Sequence, residues 1–187
     1  YVNKIISISS SYKLSTIQLL HNLEQAYILD LAKDSNIRKE EYLSLARMVA
    51  HKTYISLDLL AERARGESKY IDNEMGYFLN TPQESYMMHQ GEKFIERFTM
   101  DSYRTIINAW QNFKLNEKEL KKVKEKEVLI ISIDSDVCFY PEEQTELVNV
   151  LNLNNANVSY HLLHSDKGHD AFLLEPDIFF EPISSYL

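Results

Sequence analysis

Cysteine occurs once in this 187-residue chain, at Cys138, so no internal disulfide can form. A reducing, cytoplasmic setting is the expectation. Positive charge is in deficit: 20 Lys and Arg against 28 Asp and Glu leave a net charge of −8. That argues against a nucleic-acid surface and favours an acidic, self-repelling particle. No apolar run approaches the ~18 residues of a membrane span, and no charged region followed by an apolar stretch opens the chain. No contact with a membrane is expected. Glycine is scarce, with four residues. Turns between strands and helices consume glycines, and the first residue is not methionine. Both observations create the expectation that part of the domain lies upstream of Tyr1. What is present is ordinary for a folded protein: 44% hydrophobic and 26% charged residues, in a chain long enough to bury a core.

The first hundred residues read as mostly helical. A short strand at 3–8 leads into a Ser-rich turn, then Ile17, Leu20, Leu23 and Leu31 recur at helical spacing up to the breakers Asp34 and Ser35. A second helix is predicted over 40–65, with Leu43, Ala46, Val49 and Ala50 as its apolar stripe. Residues 67–82 mix turn formers with aromatics and read as an irregular excursion. Helix returns at 84–98 and at 101–113, where Asp101 or Ser102 is the candidate N-cap and Ile106, Ile107, Trp110 and Phe113 the core face. About a hundred helical residues are too many for a crossover between neighbouring strands, so 14–113 is read as an inserted helical region.

After a mixed-charge run at 118–127, expected to be a solvated helix or linker, the pattern changes. Residues 128–133, VLIISI, form a continuous apolar run rich in β-branched residues, the mark of a strand buried on both faces. Pro141 opens a helix with Glu142 and Glu143 in its first turn. A strand at 158–163 follows. Strand, helix, strand predicts a parallel βαβ unit.

In parallel sheets ligands gather beyond the carboxyl ends of the strands. Asp134 and Asp136 follow the first of these strands and His169 follows the second, so acid and base are presented at one sheet edge. A carboxylate on one imidazole nitrogen fixes the tautomer and leaves the other nitrogen as a base. On pattern alone, loop aspartates and a loop histidine capping helices account for the same residues equally well. No Gly-x-Ser-x-Gly turn that could carry a nucleophile is present. His161 and His164 have opposite parity on a strand, which argues against a shared metal, and no metal site is predicted. Cys138 reads as a small buried residue rather than a nucleophile.

SDVCFYPEEQ (135–144) followed by GHDAFLLEP (168–176), together with LARMVAHKTY (45–54) and the opening VNKIISISSSYKLS, resembles the homoserine O-acetyltransferase family of α/β-hydrolase-fold acyltransferases. The resemblance runs nearly end to end. It implies an α/β fold: the C-terminal part of an α/β hydrolase, with parallel strands and a large helical cap. Residues 1–13 and 114–187 would form part of the core and 14–113 the cap.

The family's triad acid maps onto Asp136, after Ser135 and before the aromatic–Pro turn, and its base onto His169. Arg47, Tyr54 and Asp170 map onto homoserine contacts. Arg47 would clamp the α-carboxylate and Asp170 would accept from the α-ammonium, with Tyr54 two helical turns beyond Arg47. Without the resemblance, Arg47 reads as a solvated helix arginine and Asp170 as a helix cap.

The implied chemistry uses acetyl-CoA as co-substrate and no cofactor. An upstream serine takes the acetyl group, then the hydroxyl of L-homoserine receives it, in a ping-pong sequence leading to methionine synthesis. The family's habit of dimerising through its cap implies a homodimer. A succinyl donor or a serine acceptor would keep the mechanism, and a plain esterase would not need Arg47 and Asp170. Without a nucleophile, residues 1–187 alone are expected to be inactive, so a fragment or degenerate copy with a structural role is a further alternative.

Overall fold

The computed structural model describes residues 2–33, 36–66 and 81–187. The breakers Asp34 and Ser35 and most of the 67–82 excursion lie outside the described residues. The chain divides into two compact units: a helical one, Thr16–Lys52 with Leu57–Asn112, and a sheet unit, Tyr1–Ser15, Thr53–Ser56 and Phe113–Leu187.

The helical unit contains α1 (Thr16–Leu31), α2 (Lys39–His51), α3 (Leu57–Arg63), α4 (Pro82–Ile95) and α5 (Met100–Gln111). The single helix predicted over 40–65 is therefore two, broken at 52–56. Leu43, Ala46 and Ala50 of α2 are buried as their spacing predicts. Gly91 lets α4 lie close to α2, since a Cβ there would stand 2.2 Å from Ser44 Oγ. Phe94 stacks on Phe98 with ring centroids 4.4 Å apart, and Tyr103 meets Phe94 edge-on at 5.0 Å.

Helix α5 starts one residue earlier than predicted, at Met100. Thr99, not Asp101 or Ser102, is its N-cap, and Thr99 and Ser102 exchange backbone and side-chain hydrogen bonds in a capping box. Ile107 faces the core, but Ile106 and Phe113 are exposed, and Tyr103 takes the second core position.

Helix α1 overturns the expected orientation. Its buried residues are Gln18, Asn22, Gln25 and Leu29. Ile17, Leu20, Leu23 and Leu31 are 41–57% exposed. Tyr103 donates to Gln25 Oε1, and Gln25 Nε2 donates to the His21 carbonyl, which supports part of the buried polar stripe.

In the sheet unit, β1 (Lys4–Ile8) precedes α6 (Glu117–Leu120), β2 (Glu127–Ile133), α7 (Pro141–Leu153), β3 (Asn157–Leu163), α8 (Ala171–Leu174) and α9 (Phe180–Tyr186). The strands are parallel in the order β1-β2-β3, with Ile6 opposite Leu129 and Ile130 opposite Tyr160. The central strand β2 is buried from Val128 to Ile133. Val128 and Ile130 pack with Leu147 and Leu151 of α7, while Leu129, Ile131 and Ile133 pack with Ala171 and Phe179. Each of these Val, Leu, Ile and Phe side chains contributes roughly 1.5–3 kcal/mol on burial. The mixed-charge run becomes α6, a short 3-10 turn at Lys121–Val123, and a turn that places Glu125 at φ 61° before β2 begins. Pro141 occupies the first turn of α7, with Glu142 and Glu143 beside it.

Candidate active site

Strands β2 and β3 end side by side, and the Asp134 N–H extends their ladder by donating to the Leu163 carbonyl at 3.0 Å. Two Asp–His pairs form just beyond. Asp134 Oδ2 lies 2.6 Å from His164 Nδ1, and its Oδ1 accepts from the Ser165 N–H at 3.1 Å. The His164 side chain is 89% exposed. Burial pushes the Asp134 carboxyl up, but the His164 and Ser165 hydrogen bonds outweigh it and hold it below the ordinary range; Asp134 in turn raises His164. This pair is an exposed loop contact of small energetic consequence.

Asp136 is different. It is 1% exposed, Oδ1 accepts from the Cys138 and Phe139 N–H groups, each at 2.8 Å, and Oδ2 lies 3.0 Å from His169 Nδ1. Three donors hold one carboxylate. An ionised carboxylate only accepts, so the proton sits on Nδ1 of His169 and Nε2 keeps its lone pair. The ring is gripped by aromatics: Phe139 stacks at 5.6 Å and Phe172 meets it edge-on at 5.7 Å. His169 makes no other hydrogen bond among the described residues. A histidine in this state can take a proton at Nε2, while the buried carboxylate stabilises the resulting imidazolium.

The loops that carry the pair are tied together. Ser135 Oγ accepts from the Gly168 N–H at 3.0 Å and donates to the Ser165 carbonyl. The segment Thr53–Ser56 belongs to this unit and runs along the histidine loop. Its Tyr54 carbonyl accepts from the Asp170 N–H at 2.8 Å, its Ser56 N–H donates to the Lys167 carbonyl at 3.2 Å, and Ser56 Oγ donates to the Asp166 carbonyl. Gly168 has φ 75°, and a Cβ there would stand 2.4 Å from the Ser56 nitrogen and 2.7 Å from the Ile55 carbonyl carbon. Only glycine meets both conditions. Burial, chiefly, pushes the Cys138 thiol up to about 12, with the Asp136 charge adding and a Thr53 hydrogen bond opposing. It is therefore a neutral, packed thiol and no nucleophile.

Of the residues mapped onto substrate contacts, Tyr54 and Asp170 come together on this loop. Tyr54 is not in a helix with Arg47: α2 ends at His51, so the expectation of two helical turns along one face fails. Asp170 does occupy the N-cap position of α8, although its side chain makes no capping hydrogen bond there. Arg47 sits in α2 of the helical unit. It lines a cavity of about 310 Å³ with Gln90, Lys93, Phe94, Glu96 and Arg97, its guanidinium 5.0 Å over the Phe94 ring. Sequence reasoning used Ser135 and Gly168 only as landmarks of the resemblance, gave neither a bracing role, and missed Ser56. A glycine directly before a loop histidine was the one signal available. Among the described residues, no cluster of His, Cys, Asp and Glu could hold a metal ion, and no helix is long and apolar enough to cross a membrane.

No family model matches the chain. Curated relatives named homoserine O-acetyltransferase do. The one from Methanosalsum zhilinae is 35% identical over 190 residues, covering 94% of this chain and 38% of the relative. The one from Methanosphaera stadtmanae is 38% identical over 149 residues, covering 76% of this chain and 30% of the relative. The chain thus spans about a third of the length of these relatives. Among solved structures, a homoserine O-acetyltransferase from Bacillus anthracis superposes with a TM-score of 0.83 at 15% identity, over 99% of this chain and 53% of that one. Esterase E22 gives 0.84 at 13% identity, over 100% and 54%. At these identities the structures establish the fold, that of the α/β hydrolases.

Proposed function

The chain belongs to the homoserine O-acetyltransferase family, and we propose that the complete protein moves an acetyl group from acetyl-CoA to the hydroxyl of L-homoserine. The observation that carries this is the buried Asp136–His169 pair. In the proposed sequence, a serine outside residues 1–187 attacks the thioester carbonyl as His169 Nε2 takes its proton. The C–S bond then breaks, the CoA thiolate leaves with that proton, and an acetyl-serine ester remains. His169 next takes the proton of the homoserine hydroxyl, whose oxygen attacks the ester, and returns a proton to the serine. Asp136 steadies the imidazolium in both halves. Arg47 binds the homoserine carboxylate, with Asp170 on the ammonium and Tyr54 beside it. The product, O-acetylhomoserine, enters methionine synthesis in the cytoplasm. No cofactor takes part.

Free-thiol release by the complete protein tests the assignment, with acetyl-CoA or succinyl-CoA as donor and homoserine or serine as acceptor. The acetyl-CoA and homoserine pair is expected to be fastest, with parallel double-reciprocal lines. A different fastest pair would reassign the substrates. Thiol release indifferent to any acceptor would favour hydrolysis, the activity named for esterase E22.

The helical unit is also the proposed dimer surface. Ile17, Leu20, Leu23, Tyr27 and Leu31 form one exposed apolar stripe on α1, and a second copy of the chain would cover it. Replacing Leu20 and Leu23 with glutamate is expected to weaken dimerisation by about 100-fold or more, read by sedimentation at graded concentration. An unchanged dimer would move the interface elsewhere.

A further inference from the structure

Arg47 is useful as a carboxylate clamp only if its guanidinium is held in one orientation, because five donors on a long stem otherwise lose rotamer freedom on binding. The helical unit contains a fixture for it. One turn along α2, His51 is 6% exposed, and its Nδ1 lies 3.3 Å from Arg47 Nη2. Its Nε2 lies 3.1 Å from the Tyr86 hydroxyl on α4, with the two rings 5.7 Å apart. A guanidinium has no acceptor, so the contact requires a lone pair on Nδ1 and hence the proton on Nε2, which donates to Tyr86. The orientation of the imidazole is thus set from α4 and passed to Arg47. The Phe94 ring supports the guanidinium at 5.0 Å.

A protonated His51 could not serve, having two donors and a charge like that of its neighbour. Burial, then Arg47 and Arg63, lower its pKa to about 4, which keeps it neutral near pH 7.

We propose that His51 is a positioning residue for the acceptor substrate: it accepts from Arg47 at Nδ1, is held by Tyr86 at Nε2, and so aims the guanidinium at the substrate carboxylate. This rests on the reading of Arg47 as the carboxylate clamp. His51 itself touches no substrate.

Two amide replacements separate the two nitrogens of His51. Asparagine puts an oxygen near the place of Nδ1 and can accept from Arg47. Glutamine carries its amide near the place of Nε2, toward Tyr86, and leaves the Nδ1 position without an acceptor for Arg47. The test uses the complete protein, with homoserine as the varied substrate, and the variants Arg47→Ala, His51→Gln, His51→Asn and Tyr86→Phe. Arg47→Ala is expected to raise KM for homoserine on the order of 100-fold, and His51→Gln roughly 10-fold with kcat changed less than about twofold. His51→Asn should recover most of that loss.

Tyr86→Phe, which removes one hydroxyl and keeps the packing, should raise KM by about two- to threefold. It carries the test if a His51 variant does not fold. If Arg47→Ala leaves KM unchanged, the clamp reading falls and this inference with it. If Arg47→Ala raises KM but His51→Gln matches the unaltered protein, the clamp stands and His51 has no part in it. If His51→Asn is as impaired as His51→Gln, or if kcat falls as far as KM rises, His51 is only a packing residue.

Discussion

Asp136→Asn is expected to lower kcat for acyl transfer on the order of 10⁴-fold, while Asp134→Asn changes it by less than about threefold. The two aspartates are two residues apart, both beyond β2, and each meets a histidine. Their settings differ in three ways that decide the outcome. Asp136 is 1% exposed, whereas Asp134 faces a histidine that is 89% exposed. Asp136 is fixed by two backbone N–H groups on one oxygen and by His169 on the other. And His169 is enclosed by Phe139 and Phe172, where solvent screens its contact with Asp136 less than at an exposed pair.

An asparagine at 136 keeps the shape but can donate to His169 from its amide, which favours the tautomer with the lone pair on Nδ1. The base then points the wrong way. Steady-state kinetics on the two variants, with melting curves to show that both fold, check this. Equal losses at both positions would mean that the acid is not assigned by burial.

Gly168→Ala is expected to cost about 2–5 kcal/mol of stability and at least ~100-fold in kcat. The positive φ of 75° makes a Cβ unfavourable by about 1–2 kcal/mol. Overpacking against the Ser56 nitrogen and the Ile55 carbonyl carbon adds roughly 1–3 kcal/mol. Neither neighbour is a flexible side-chain tip. Relief must come from moving the Thr53–Ser56 segment or the histidine loop, and a shift near 1 Å at His169 is enough for the activity loss. Gly66, whose Cβ would meet nothing within 4 Å, supplies the control, and its alanine variant should melt within about 0.5 kcal/mol of the unaltered protein. Urea denaturation of both variants decides the point. Equal stabilities would show that the segment yields freely and does not brace the site.

The sequence was most informative where local signals and tertiary placement agree. The apolar run 128–133, with Pro141 and two glutamates after it, could be little else than a buried strand entering a helix, and it is both. Asp136 was separable from Asp134 by resemblance alone. The physical distinction, burial under the Cys138 and Phe139 N–H groups, is tertiary and leaves no local trace. Helix α1 shows the opposite case. Periodicity located its apolar stripe but could not say whether that stripe faces inward, and a polar row of Gln18, Asn22 and Gln25 took the inside instead. Thr53–Ser56 was lost inside a helical pattern because its hydrogen-bond partners lie over 100 residues away in sequence, at Asp166, Lys167 and Asp170.

The most direct test is rapid-quench measurement of CoA thiol release from acetyl-CoA by the complete protein, without homoserine, for the unaltered enzyme and for His169→Ala. The account predicts a burst approaching one equivalent per active site from the unaltered enzyme, and no burst on the same timescale from the variant. A burst of equal size and rate from His169→Ala would contradict the assignment of the base and, with it, the acyl-transfer mechanism built on the Asp136–His169 pair.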